Sequence, residues 1–159
     1  MPGSVAHLIE RVLADAGRPD VRSEGAVGPI AIGWATVDLD RAIPEIALEL
    51  GLAASKFAPS ADSEILGARG QVVAAAIDGE VSLVILEPSS EGRLAAALAR
   101  YGEGPIAVWF LAEGEPERPG GAIGEARPGP FGQERLAPGG LVGGLHRFIV
   151  VAEPGTIRS

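Results

Sequence analysis

The sequence predicts an α+β domain in which helices support a mostly antiparallel sheet. An N-terminal segment repeats its apolar residues at helical spacing, and a mid-chain hairpin carries an Asp-Gly turn. Two apolar runs, PIAIGWATV and PIAVWFLA, are too short for free helices and rich in residues that suit a pleated surface. Such an alternation of strands with a few helices is the α+β pattern. With 159 residues and a hydrophobic share of 47%, the chain can bury the core of one compact domain, or of two small modules sharing a core.

The elements follow in order. Val5, Leu8, Ile9, Val12, Leu13 and Ala16 line one face of a helix, with Ser4 placed to cap it and Gly17 to stop it. The polar stretch Arg18 to Gly28, broken by Pro19 and Gly25, is a connection, so residues 1–28 form an N-terminal helix and its link, and residues 29–159 the domain proper. Pro29 to Val37 is a buried strand. Asp38-Leu39-Asp40 then caps a helix through Leu50 with Gly51 as its stop, and Pro44 falls near enough to the first turn to be tolerated. A further strand is expected within Ala53 to Ala58, then loop from Ser60 to Gly70. Gln71 to Pro88 is the hairpin, turning at Asp78-Gly79. Ser89 to Tyr101 is a short helix capped by Ser89 or Ser90 and stopped by Gly102, and Pro105 to Ala112 a strand. Glu113 to Gly144 is dense in Gly and Pro, which predicts short strands and turns anchored by Phe131, Leu136, Leu141 and Val142; Leu145 to Ala152 closes the chain as a strand.

Charge and composition exclude several classes. Twenty-one acids against 13 bases leave a net charge of −8, the wrong sign for a nucleic-acid partner. The absence of cysteine removes disulfides, thiolate nucleophiles and thiolate metal sites. Met1 to Glu10 lack a basic start and a long apolar run, and no apolar stretch reaches the ~18 residues of a membrane span, so a cytoplasmic protein without membrane partners is expected.

Chemistry-bearing motifs are few. His7 and His146 are the two histidines, and no H-E-x-x-H, G-x-S-x-G or phosphate-loop motif surrounds either. His7 falls on a polar helix face and reads as solvated. His146 opens the closing strand, where alternation groups it with Phe148 and Val150; it is either a hydrogen-bonded core residue or the imidazole available for proton transfer. Glu113, Glu115 and Glu117 alternate with Gly and Pro as a solvated loop, and Gly139-Gly140 and Gly143-Gly144 read as turns. Arg93 and Arg100 are expected to pair with acids.

The opening strand running into Asp38-Leu39-Asp40-Arg41-Ala42, the helix ending in Leu50-Gly51-Leu52, the hairpin closing on Leu86-Glu87-Pro88, and Gly102-Glu103-Gly104 leading to Phe110 stand in a known order and spacing. Over residues 29 to 112 this resembles the vicinal oxygen chelate superfamily, which includes glyoxalase I, methylmalonyl-CoA epimerases, bleomycin-resistance proteins and extradiol dioxygenases. The resemblance implies paired βαβββ modules, here 29–88 and a shortened second module within 89–159 that follows a linker helix and lacks a helix of its own, with the N-terminal helix as an addition. It also implies where metal ligands would stand. Three of those positions fall on Ala31, Val84 and Ala107, which cannot coordinate, and the fourth falls near Glu153, so no metal and no other cofactor are expected.

The same positions imply a concave face lined by Ala31, Gly33, Ala35, Ser82, Val84, Leu86, Ala107 and Trp109: either an apolar cup for a ligand or a set of small residues packed closed. The expected function is metal-independent binding of a small, largely apolar organic molecule. An isomerase or lyase step would use His146 or Glu153 as base; a sequestering protein of the bleomycin-resistance kind and a structural dimerisation domain are the alternatives. A second module that looks truncated, beside an extra amphipathic helix, leads to the expectation of a homodimer.

Overall fold

The computed structural model describes residues 5–16, 26–77, 79–112, 123–137, 141–142, 145–146 and 148–152. Helix α1 (Val5–Ala16) is followed by strand β1 (Ala26–Ala35) and helix α2 (Leu39–Leu50). Asp38 caps α2 by accepting from the Arg41 amide, and Gly51 ends it at φ 72°, where a side chain would be strained. Pro44 sits inside this helix, as its sequence allowed. Within the stretch where a strand was expected, residues 54–56 form a single 3₁₀ turn, and strand β2 is reduced to Ala58–Pro59. Its brevity has a cause in the chain, because Pro59 has no amide to extend a ladder.

The hairpin stands as its turn dipeptide implied, with β3 (Ala68–Ile77) and β4 (Val81–Pro88) joined through Gly79 at φ 72°. Helix α3 (Arg93–Tyr101) begins four residues later than Ser89, and its N-cap is Gly92 with no side-chain cap, in place of the expected serine. Strand β5 (Gly104–Ala112) follows. Four further strands are β6 (Ile123–Gly129), β7 (Gly132–Ala137), β8 (Leu141–Val142) and β9 (Leu145–His146), before β10 (Phe148–Ala152). The closing strand expected from Leu145 is thus two elements: β9 pairs with β8 in a separate ribbon, and β10 alone joins the main sheet.

That sheet has eight strands in the order β2-β3-β4-β1-β5-β10-β7-β6. It is mixed, since β1 runs parallel to β4 and β5 parallel to β10, while the other neighbours are antiparallel. In each half the first strand lies beside the last, and a hairpin builds outward from there. The register makes the symmetry explicit: Ala31 opposes Trp109, Gly33 opposes Ala107, and Ile32 opposes Val108. A pseudo-twofold axis between Ile32 and Val108 therefore exchanges Ala31 with Ala107 and Gly33 with Trp109. The second half has all four strands of the first, so its sheet is not shortened; among the described residues no helix connects β5 to β6. The expectation of a second copy rested on a second module that looked truncated and on the extra helix α1; the chain supplies four strands to each half, and α1 packs with α2 on one face of the sheet.

Alternation divides the core in two. On one face Ile32, Trp34, Leu83, Ile85, Val108 and Phe110 pack under α1 and α2, which present Val5, Ile9 and Val12, and Leu39, Ile43 and Ile46. Burying such side chains contributes about 1.5 to 3 kcal/mol each. On the other face Ala31, Ala35, Val84, Leu86, Ala107, Trp109 and Val150 form a second cluster with Leu94, Ala97 and Leu98 of α3. None of the described helices is long and apolar enough to cross a membrane.

Candidate functional site

The second face carries residues that the sequence places on a concave face, and the pseudo-twofold register says which of them occupy equivalent places. Val84 pairs with Gly33 on one side of the axis, as Val150 pairs with Trp109 on the other. The four symmetry-related positions are therefore Ala31, Ala107, Val84 and Val150, all with no exposed surface. Val150 holds the place equivalent to Val84; Glu153, which the resemblance put near the fourth ligand position, lies outside the described residues. A divalent cation does not fit these side chains, none of which has a donor atom. Among the described residues no group of three or more His, Cys, Asp or Glu is arranged to hold a metal.

Of the residues assigned to the site from sequence, the structure gathers Ala31, Val84, Ala107 and Trp109 in the one buried cluster. Gly33 lies among them for a steric reason. A Cβ built there would stand 2.7 Å from Trp109 Cζ3 and 3.1 Å from Leu86 Cδ1, so the missing side chain makes room for the indole. Ser82 is half-buried on β4, paired in register with Ala31. His146 lies in the β8–β9 ribbon opposite Leu141, an element separate from β10, which carries Phe148 and Val150.

One functional group was missed from sequence. Glu134, in the middle of β7, has no exposed surface, and its carboxyl enters the concave cluster. Trp109 Nε1 donates to its Oε1 at 2.8 Å, and Ser63 Oγ donates to its Oε2 at 2.8 Å. Gly129 of β6 provides the seat, because a Cβ there would overlap the Glu134 carboxyl. Phe131 meets Trp109 edge-on, with ring centroids 5.8 Å apart. Burial pushes the Glu134 carboxyl up to about 7, against the two hydrogen bonds, which favour the charged form. The stretch Gly132-Gln133-Glu134-Arg135 reads as a polar edge, and nothing in its pattern marks one carboxyl as buried.

Ser63 belongs to a turn, residues 63–67, that ties the halves together beyond the sheet. The Leu66 amide donates to Ser63 Oγ at 3.3 Å, the Glu64 amide to the Pro128 carbonyl at 3.2 Å, and Arg127 pairs with Glu64 at 3.3 Å. Leu66 in turn accepts from the Leu94 amide at the start of α3. A second tie lies at the junction of β1 with α2: Glu103 Oε2 accepts from Thr36 Oγ1 at 2.9 Å, from the Val37 amide at 2.9 Å and from Arg41 at 2.6 Å. Partial burial raises the Glu103 pKa, and these donors outweigh it, leaving the carboxyl below its ordinary range.

Among solved structures, methylmalonyl-CoA epimerase from Mycobacterium tuberculosis superposes with a TM-score of 0.62 at 20% identity, over 82% of this chain and 89% of its own. A hypothetical protein of Bacillus halodurans C-125 gives 0.58 at 20% identity, over 79% and 92%. A variant of Streptomyces coelicolor methylmalonyl-CoA epimerase in complex with 2-nitronate-propionyl-CoA gives 0.56 at 19% identity, over 84% and 99%. The fold is accordingly the glyoxalase-like fold that these structures share. No family model matches the sequence. A CinA-like protein of Anaeromyxobacter dehalogenans (strain 2CP-1) is 30% identical over 112 residues, which are 70% of this chain and 27% of that protein, so the chain spans about a quarter of its length.

Proposed function

We propose that this chain is a metal-independent member of the glyoxalase-like fold that binds a small, largely apolar organic molecule on the concave face of its sheet. The observation that carries the reading is the Glu134 carboxyl, buried in a cluster otherwise built from Ala31, Val84, Ala107, Trp109 and Val150. A buried carboxyl disfavours the closed face it sits in, since an apolar residue there would need no desolvation. Its presence supports a ligand-binding role over a packing role. An indole, a phenyl ring and one titratable group are also what a small-molecule site is made of. A proton-transfer turnover, isomerase or lyase, would fall to Glu134, whose pKa near 7 suits it to give and take a proton at neutral pH.

A second reading has an observation of its own: the lining residues have no exposed surface, as in a scaffold whose cup is filled by its own side chains. Ala107→Leu separates the two. In a cup that opens, the added volume takes ligand space, abolishes binding of hits from a thermal-shift screen of small apolar acids, thioesters, alcohols and amines, and leaves the melting temperature nearly unchanged. In a closed scaffold it costs about 1 to 3 kcal/mol of stability, and the screen gives no hit.

A further inference from the structure

We infer that the Glu134 carboxylate is the anchor for a small organic cation, a primary ammonium on an apolar body, which takes the position that the Ser63 hydroxyl holds in the closed cup. The inference rests on the binding reading above and names its ligand class.

The first ground is the set of partners around the carboxyl. Both donors to it, the Trp109 indole and the Ser63 hydroxyl, are neutral. The ion pairs of Arg41, Arg69 and Arg127 go to other acids, Glu45 and Glu103, Glu87, and Glu64. Arg127 of β6 opposes Glu134 in register, yet its guanidinium is turned to Glu64 at the surface. Arg135 follows on β7, so alternation directs it to the opposite face. From α3, Arg93 donates to the Ile65 carbonyl at 3.0 Å. The turn contributes Glu64, with Asp62 just before it; β5 has no charged residue, and Glu103, just before it, is bound to Arg41. β10 contributes Val150 and, opposite Glu134 in register, Ala152. The described surroundings of the carboxyl thus supply acids and neutral donors, and the complement they lack is a cation.

The second ground is the wall. Trp109 and Phe131, packed edge to face, offer π surfaces that attract an ammonium and gain nothing from an anion. An anionic ligand would meet like charge in a low-dielectric site. The third ground is how the place is held. Ser63 is carried by a turn whose outer ties to the second half are one amide bond and one exposed ion pair, Arg127 with Glu64, the weak kind of contact. The rest of the turn stays held to the first half by buried Leu66 and by its bonds to Leu94 and Arg93, so only the Ser63 hydroxyl has to give way, and its place 2.8 Å from Oε2 marks where a ligand N–H would sit.

An ammonium pairs with the charged carboxylate, so its affinity must follow the ionised fraction. With Glu134 titrating at about 7, that fraction rises about tenfold between pH 6 and pH 8. The test is calorimetric titration of the full chain with benzylamine, benzyl alcohol and benzoate at both pH values, in about 0.15 M salt to screen the acidic surface. Benzylamine is expected to bind about tenfold tighter at pH 8 than at pH 6, and at pH 8 at least tenfold tighter than the other two. Ser63→Ala, which removes the hydroxyl from the ammonium position, is expected to strengthen benzylamine binding several-fold. Glu134→Gln, if it keeps a native circular dichroism spectrum, loses benzylamine binding; if it does not fold, the pH ratio and Ser63→Ala decide. Benzoate or benzyl alcohol binding as well as benzylamine, or an affinity that is flat with pH, overturns the inference and leaves the binding reading standing. No binding of any probe, together with a large loss of stability in Ala107→Leu, overturns both.

Discussion

Replacing Glu134 by glutamine removes one ionisable proton from the core and almost nothing else. The amide keeps the acceptor for Trp109 Nε1 and can donate to Ser63 Oγ, so the shape and both hydrogen-bonding contacts survive. What changes is the pH dependence of stability. The folded carboxyl titrates at about 7 against its usual 4.5, so the folded state holds its proton more tightly than the unfolded chain. The stabilisation from that proton is complete below pH 4.5 and is lost as the pH rises through 7. At 1.36 kcal/mol per pH interval the loss amounts to about 3 kcal/mol, an upper bound because water can reach an ionised group through small movements. Wild type and Glu134→Gln should therefore melt together at pH 4.5, with the variant up to about 6 to 12 °C higher at pH 8. Scanning calorimetry from pH 4.5 to pH 8 reads the difference directly, and other titrating groups cancel in it. Parallel curves for the two proteins would refute the buried carboxyl.

Gly33→Ala puts a methyl 2.7 Å from Trp109 Cζ3, so the indole or β1 must shift at a cost of about 1 to 3 kcal/mol; an unchanged melting temperature would show that Trp109 does not lie across Gly33. Glu103→Gln acts with the opposite sign to Glu134→Gln, because a lowered pKa gives stability that is present at neutral pH and lost as the pH falls through the folded value. With the Glu103 side chain about one-third exposed, the loss should stay below about 1 kcal/mol and vanish in acid, which urea titrations at pH 7 and pH 3 would check. Purified protein should retain no stoichiometric zinc, manganese, cobalt or nickel, given Ala31, Val84, Ala107 and Val150 at the four equivalent positions; elemental analysis finding one equivalent after dialysis would refute that assignment.

What the sequence disclosed and what it hid divide along a physical line. Local signals were legible: Asp38 and Gly51 bound α2, Gly79 turned the hairpin, and strand alternation put Ala31, Val84, Ala107 and Trp109 on one face. These depend on neighbours within a few residues, and the spacing of the first half carried the fold. The second half was read as shortened because its Gly- and Pro-dense stretch shows no helical pattern, and only short strands and turns were expected there; β6 and β7, made of Gly, Pro and charged residues with little strand propensity of their own, are strands because β10 and the hairpin pair them. His146 was placed on the closing strand because a period of two runs unbroken through Leu145 to Ala152, and the sequence alone cannot show a strand changing sheets. Glu134 was hidden for a similar reason: its burial is set by Gly129, Ser63 and Trp109, up to 71 residues away.

The pseudo-twofold register explains how such a site can exist without a metal. Val72 opposes Val84 and Gly70 opposes Leu86 in the first half, while Leu136 opposes Val150 and Glu134 opposes Ala152 in the second, so Gly70 and Glu134 are equivalent positions. In the first half the place is closed: a Cβ on Gly70 would stand 2.7 Å from the Ile85 carbonyl, and no side chain fits. In the second half Gly129 withdraws its own side chain, and a carboxyl occupies the space. A metal centre at the four axial positions would need donors from both halves, and each half presents only Ala and Val there. A carboxyl anchor needs one half. The symmetric floor can then stay apolar, with Trp109 standing where the first half has Gly33, and the buried carboxyl comes from one asymmetric exchange, glycine on β3 for glutamate on β7.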